Sequence, residues 1–163
     1  MSAQEPKVAV LMGSKNDWTV MQAACDQLDA LGIKNEARVI SAHRTPQRHH
    51  DFVTEQAPAE GVKIFICGAG MAAHLAGVTA ALTSSPVIGV PLEGGVMGGM
   101  DSLLSTVQMP GGMPVATVAV GKAGAKNAAI LAAQMLGLAH DDIAEKVKEM
   151  RAKQTAGVPE FPA

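Results

Sequence analysis

The chain has no tyrosine, and aromatic side chains supply only 2% of its 163 residues, as one Trp and three Phe. A flavin stacking site, which needs large aromatic faces, is poorly provided for. Cysteine is nearly as scarce. Cys25 and Cys67 stand far apart inside apolar segments, and no CxxC pair or Cys/His cluster has zinc spacing. They read as small buried hydrophobes of a protein from a reducing compartment. Positive charge is not in excess: 13 Lys and Arg face 15 Asp and Glu, a net charge of −2. Without a basic footprint, nucleic-acid binding is not expected. No run of about 18 uncharged apolar residues suggests a membrane span. Residues 128–138 are strongly apolar but too short, and read as a buried helix. The first seven residues are polar and lack the apolar stretch of a signal peptide, so a cytoplasmic location is expected.

What the chain has in abundance is small apolar residues. Apolar types make up 48% of it, and Ala, Val, Met and Gly carry that bulk. This length fits one compact domain, and so apolar a domain is expected to hide surface between subunits. Residues 1–6 read as an N-terminal extension, 7–154 as the domain and 155–163, with two prolines, as a tail.

Short valine- and isoleucine-rich runs alternate with helical patterns. Strands are expected at 7–12 (KVAVLM), 37–40, 63–67 (KIFIC), 86–90 and 114–120. A first helix carries Trp18, Met21, Cys25, Leu28 and Leu31 at three- and four-residue spacing, with Asp17 as its cap and Gly32 as its left-handed stop. Thr45 and Pro46 read as cap and first residue of a second helix that Pro58 ends. A small-residue helix is expected from Met71 to Leu82, a short one after Asp101, a long one at 122–136 and a polar one at 140–153. Such alternation gives a three-layer αβα fold around a parallel five-stranded sheet, with an extra C-terminal helix. The common flavodoxin-like order 2-1-3-4-5 would open a crevice beyond the carboxyl ends of strands one and three.

Chemistry-bearing residues gather in the loops at that end. Ser41-Ala42-His43-Arg44-Thr45-Pro46 places a titratable imidazole beside a permanent cation in a strand-to-helix loop. His43 can move a proton near neutral pH. Arg44 can hold a phosphate or carboxylate by paired hydrogen bonds. Gly13 to Asp17 and Gly68-Ala69-Gly70 each lead into a helix, whose free N–H groups suit phosphate. Ser14 and Asp17 also fit simple capping; as a ligand contact, Asp17 suits ribose hydroxyls better than phosphate. His74, in the small-residue helix, fits a core or interface histidine as well as a ligand contact. His43 and His74 have no acidic or thiol partner at metal-binding spacing. His49 and His50 read as outward-facing, and His140 as a surface residue. There is no GxGxxG, because Ala73 stands at the third glycine, and no phosphate-binding GxxxxGK[ST]. The pattern points to proton transfer on a small anionic substrate.

Taken together, these segments resemble a known family. Met12-Gly13-Ser14-Lys15-Asn16-Asp17-Trp18 is similar to its MGSxSDW signature, and 41–46 matches its SAHRTP segment. Gly68-Ala69-Gly70-Met71-Ala72-Ala73-His74-Leu75 is similar to GAGGAAHL, and 101–110 (DSLLSTVQMP) and 114–122 also match. The family is the bacterial-type N5-carboxyaminoimidazole ribonucleotide mutase, and the resemblance runs from about residue 7 to 153. It implies a homo-octamer and an enzyme of purine synthesis that moves a carboxylate from the exocyclic nitrogen of an imidazole to a ring carbon, without metal, cofactor or ATP. It implies His43 as general acid/base, Ser14, Asp17 and Arg44 as ribonucleotide ligands, and Ser41, Gly70 and His74 as lining. The chain departs from the pattern at Met71, which replaces a glycine, and at 92–97 (LEGGVM), where many relatives carry a QSKAL-like loop. Those departures keep a direct aminoimidazole ribonucleotide carboxylase in view, and a non-catalytic flavodoxin-like binding module is the reading from another class.

Overall fold

The computed structural model of the protein describes residues 5–162, so the expected extension at 1–6 lies mostly outside the described residues. Five strands form one sheet in the order β2-β1-β3-β4-β5, and every pairing is parallel. They are β1 (Lys7–Met12), β2 (Lys34–Val39), β3 (Val62–Gly70), β4 (Val87–Leu92) and β5 (Ala116–Thr117). The helices are α1 (Trp18–Ala30), α2 (Pro46–Asp51), α3 (Ala57–Ala59), α4 (Leu75–Leu82), α5 (Met100–Val107), α6 (Gly121–Leu136) and α7 (Asp141–Ala156).

The central strands are apolar along their whole length because both of their faces are covered. Side chains alternate across a strand. Val8, Val10, Met12, Ile64 and Ile66 therefore enter one core with α1, α6 and α7. Ala9, Leu11, Phe65 and Cys67 enter a second core with Phe52, Val53, Leu75 and Ala76. Each fully buried Val, Leu, Ile or Phe contributes roughly 1.5–3 kcal/mol, so these two layers hold the sheet ends where the loops emerge. Two glycines allow helices to approach the sheet and its loops closely. A Cβ on Gly68 would strike the Met21 side chain from α1, and one on Gly124 would strike the Ala119 backbone.

Several elements differ from expectation for identifiable reasons. β2 begins at Lys34 rather than Ala37: as an edge strand, half exposed, it needs no apolar run. Its charges protect the edge. Lys7 Nζ lies 2.7 Å from Glu36 and 2.6 Å from Glu60, and Arg38 pairs with the same two carboxylates while stacking 4.3 Å from the Phe52 ring centre. Pro58 does not stop the second helix. The chain widens to a π turn over Phe52–Gln56, and Pro58 sits inside α3, which spares its ring the clash of a regular helix interior. β3 runs on through Gly70, and α4 starts only at Leu75, so His74 precedes that helix instead of lying within it. β5 pairs over two residues, not seven, and α7 continues to Ala156, two residues into the expected tail.

Candidate active site

The turn after β1 is built by Ser14 and Asp17. Ser14 caps a 3-10 turn over Lys15–Asp17: its Oγ accepts from Asn16 N–H at 3.2 Å, and Asp17 Oδ2 accepts from Ser14 N–H at 2.8 Å. This reciprocal box corrects the expected role of Asp17, which has no capping bond to α1. Burial pushes the Asp17 carboxyl upward, opposed by the Ser14 N–H, the Arg44 charge and the Gly13 N–H.

The loop after β2 is tied internally. Ser41 C=O accepts from Thr45 N–H at 2.8 Å and Thr45 Oγ1 at 2.9 Å, while Ser41 N–H donates to that hydroxyl. Thr45 thus bonds back to Ser41 and makes no side-chain cap to α2, contrary to expectation. Ser41 Oγ accepts from Arg44 N–H at 3.2 Å and Nε at 3.3 Å, and Arg44 Nη2 donates to Gly13 C=O at 2.9 Å. The guanidinium is therefore fixed across the neighbouring turn, with its Nη1 edge left for an anion.

His43 Nε2 lies 2.9 Å from His74 Nδ1, with the rings edge-to-face and their centres 5.0 Å apart. The two imidazoles share one hydrogen bond, so one must donate and the other accept. Both are exposed. Ser14, Asp17, Ser41, His43, Arg44, Gly70 and His74 all line one crevice of about 670 Å³ beyond the ends of β1 and β3. A larger cavity, about 750 Å³, lies at the opposite end of the sheet beside Pro86 and Val87, and no titratable side chain lines it. A cationic anchor for an anion and a candidate proton carrier thus converge only in the first of these two cavities.

The AIR carboxylase family pattern matches residues 7–157. The chain belongs to the AIR carboxylase family. Proteins named N5-carboxyaminoimidazole ribonucleotide mutase are similar to it over nearly their whole length. The one from Bacillus subtilis is 54% identical over 93% of this chain and 94% of its own. The one from Brucella melitensis is 53% identical over 96% of each, and the one from Saccharolobus solfataricus 56% over 88% and 89%. The crystal structure of Treponema denticola PurE superposes with a TM-score of 0.85 at 29% identity, covering 93% of each chain.

In this family member the expected site residues come together, and the other histidines do not join them. His49 is buried rather than outward-facing, with Nε2 2.8 Å from Thr79 Oγ1. Burial and the nearby His50 push its pKa down. Through that bond it ties α2 to α4, the helices behind His43 and His74. Burial also pushes the Cys67 thiol up to about 12 and the Cys25 thiol up to about 11, which leaves both unreactive. Sequence reasoning missed the Gly13 carbonyl that seats Arg44. It also missed the hydroxyls of α5 that hold the surrounding loops, although the 101–110 motif marked that helix without giving it a role. Among the described residues, no group of three His, Cys, Asp or Glu is placed to hold a metal ion, and no helix is long and apolar enough to cross a membrane.

Proposed function

We propose that this chain is an N5-carboxyaminoimidazole ribonucleotide mutase of purine biosynthesis. The observation that carries the reading is the convergence of His43, His74 and the seated Arg44 in one crevice, in a chain about half identical to relatives of that name. The reaction follows from the groups present. Arg44 and Ser14 hold the phosphate at the start of the first helix, and Asp17 accepts from the ribose hydroxyls. Ser41 keeps Arg44 in place, while Gly70 leaves the floor of the crevice bare for the imidazole ring.

His43 in its acid form protonates the carbamate nitrogen, and the N–C bond breaks to release carbon dioxide. The electron-rich ring carbon attacks that molecule and forms the new C–C bond. His43, now a base, removes the proton from the same carbon and restores the aromatic ring. The proton given at nitrogen is recovered at carbon, so the sequence is an isomerisation that balances without an external oxidant or nucleotide triphosphate. Such a positioned acid/base supplies about 10²–10⁴ in rate.

Holding carbon dioxide requires a closed site, yet His43 and His74 are exposed in the single chain. Apolar Met71, Val96, Met97, Met100 and Leu104 are exposed near the crevice or along α5. Their exposure supports an assembly of copies as the working form; we take that form to be a cytoplasmic homo-octamer, with 7–154 as the catalytic unit and the end of the chain reaching a neighbour. Direct carboxylation of aminoimidazole ribonucleotide is the second reading, favoured by the departure from the family pattern at 92–97, of which 93–97 are exposed. Parallel assays separate the two. Product absorbance should rise with the carbamate nucleotide and far more slowly with aminoimidazole ribonucleotide plus bicarbonate. Efficient turnover only in the second assay would overturn the mutase reading.

A further inference from the structure

The turn that carries His74 is weakly held by its own backbone. β3 ends at Gly70 and α4 begins at Leu75. Between them Met71 adopts a left-handed conformation at φ 57°, which is unfavourable for a side chain of that size. The backbone bond within the turn is His74 N–H to Ala72 C=O at 2.9 Å. What fixes the turn comes from α5. Ser105 Oγ accepts from Ala73 N–H at 2.9 Å, and its own proton faces Asp101 C=O at 2.7 Å, with Met71 and Ser102 C=O each at 3.2 Å. Ala73 is itself buried, at 1% exposure, so its N–H has no ready recourse to water. The same helix holds the other loop at the crevice. Asp101 Oδ2 accepts from Val96 N–H at 3.0 Å, and Ser102 Oγ lies 2.8 Å from both Leu92 and Gly99 C=O.

We propose that Ser105 is a positioning residue for the proton-transferring pair: by holding Ala73 N–H it sets the place of His74 and, through the 2.9 Å ring contact, the tautomer and direction of His43. The proposal rests on the mutase reading for its kinetic consequence, but not for its structural one. The phosphate and ribose ligands sit on other loops, so loss of the hydroxyl should disturb chemistry and spare binding.

The test combines kinetics with ring-nitrogen NMR of the histidines in the free protein. Ser105→Ala should lower kcat by roughly tenfold or more, on the scale on which a misplaced catalytic group loses rate. KM should stay within about twofold, the ordinary signature of a change confined to the chemical step. The His43 and His74 nitrogen signals should move toward those of isolated imidazoles. Ser105→Thr, which keeps the hydroxyl, should restore both. Ser105→Cys, with a weaker donor and acceptor of similar size, should fall between and serves if the alanine variant does not fold. Unchanged ring signals and kcat in Ser105→Ala, a rise in KM alone, or no recovery in Ser105→Thr would overturn the proposal. If the wild-type protein does not convert the carbamate but the ring signals of the Ser105 variants move as described, the functional reading falls and the positioning role stands.

Discussion

Two of the loops that border the crevice are built in opposite ways. Residues 41–46 fold by side-chain hydrogen bonds spanning three or four positions, so one short motif holds both the chemistry and the scaffold. Residues 92–100 fold through backbone conformation: Gly94, Gly98 and Gly99 have positive φ, and so does Met97 at 54°. Leu92 anchors this loop in the core, while Val96 and Met97 point outward at 66% and 74% exposure. A Cβ on Gly95 would collide with the Asp101 carboxylate that caps this loop. In the proposed mechanism the first loop supplies a proton carrier and an anion contact, both held in place by hydrogen bonds. The second offers an exposed apolar margin suited to covering a site.

If that contrast is right, substitutions in the first loop act on chemistry and binding, whereas those around the second act on conformation. The largest effect should come from His43→Asn. It should cut kcat by about 10²–10⁴, the value of a positioned acid/base, while equilibrium titration shows nucleotide affinity nearly unchanged. A near-wild-type rate would remove His43 from the mechanism. Next, Arg44→Ala should weaken nucleotide binding about 10- to 100-fold, since a hydrogen bond to a charged group contributes roughly 1.5–3 kcal/mol. Unchanged affinity would mean that the guanidinium only staples two loops. Smallest is Met71→Gly. Relief of about 1–2 kcal/mol of left-handed strain, less roughly 0.5–1 kcal/mol for the freer unfolded chain, should raise Tm by about 2 °C. Calorimetry showing a lower Tm would mean that the Met71 side chain stabilises the turn after all.

The same contrast explains what could be read from the chain alone. The alternation of strands and helices was legible, because buried central strands must be continuously apolar and glycines mark the helix ends; the strand order followed from the commonness of that order, not from any residue. The crevice-lining residues were legible where they share one short motif, as in Ser41 to Arg44, but not the bonds around them: Thr45 ties back to Ser41, and Asp17 caps Ser14 N–H instead of the first helix. Legibility failed where a partner lies far along the chain. His49 looked solvated because Thr79, which satisfies it, is 30 residues away. His74 was placed inside a helix because nothing in the small-residue run between Gly70 and Leu82 marks where strand gives way to helix. The Ser105 clamp spans 32 residues and leaves no periodic trace. β2 was half seen, since its charged half is stabilised by Lys7 and Glu60 from other elements.

The central claim is that one imidazole moves a carboxylate within the crevice, and isotope retention tests it most directly. The carbamate nucleotide, labelled with ¹³C in its carboxylate, is converted by the wild-type protein in excess unlabelled bicarbonate, and the product is examined by mass spectrometry. The account predicts that the product keeps the label. A product that carries the unlabelled carbon of the medium would contradict it.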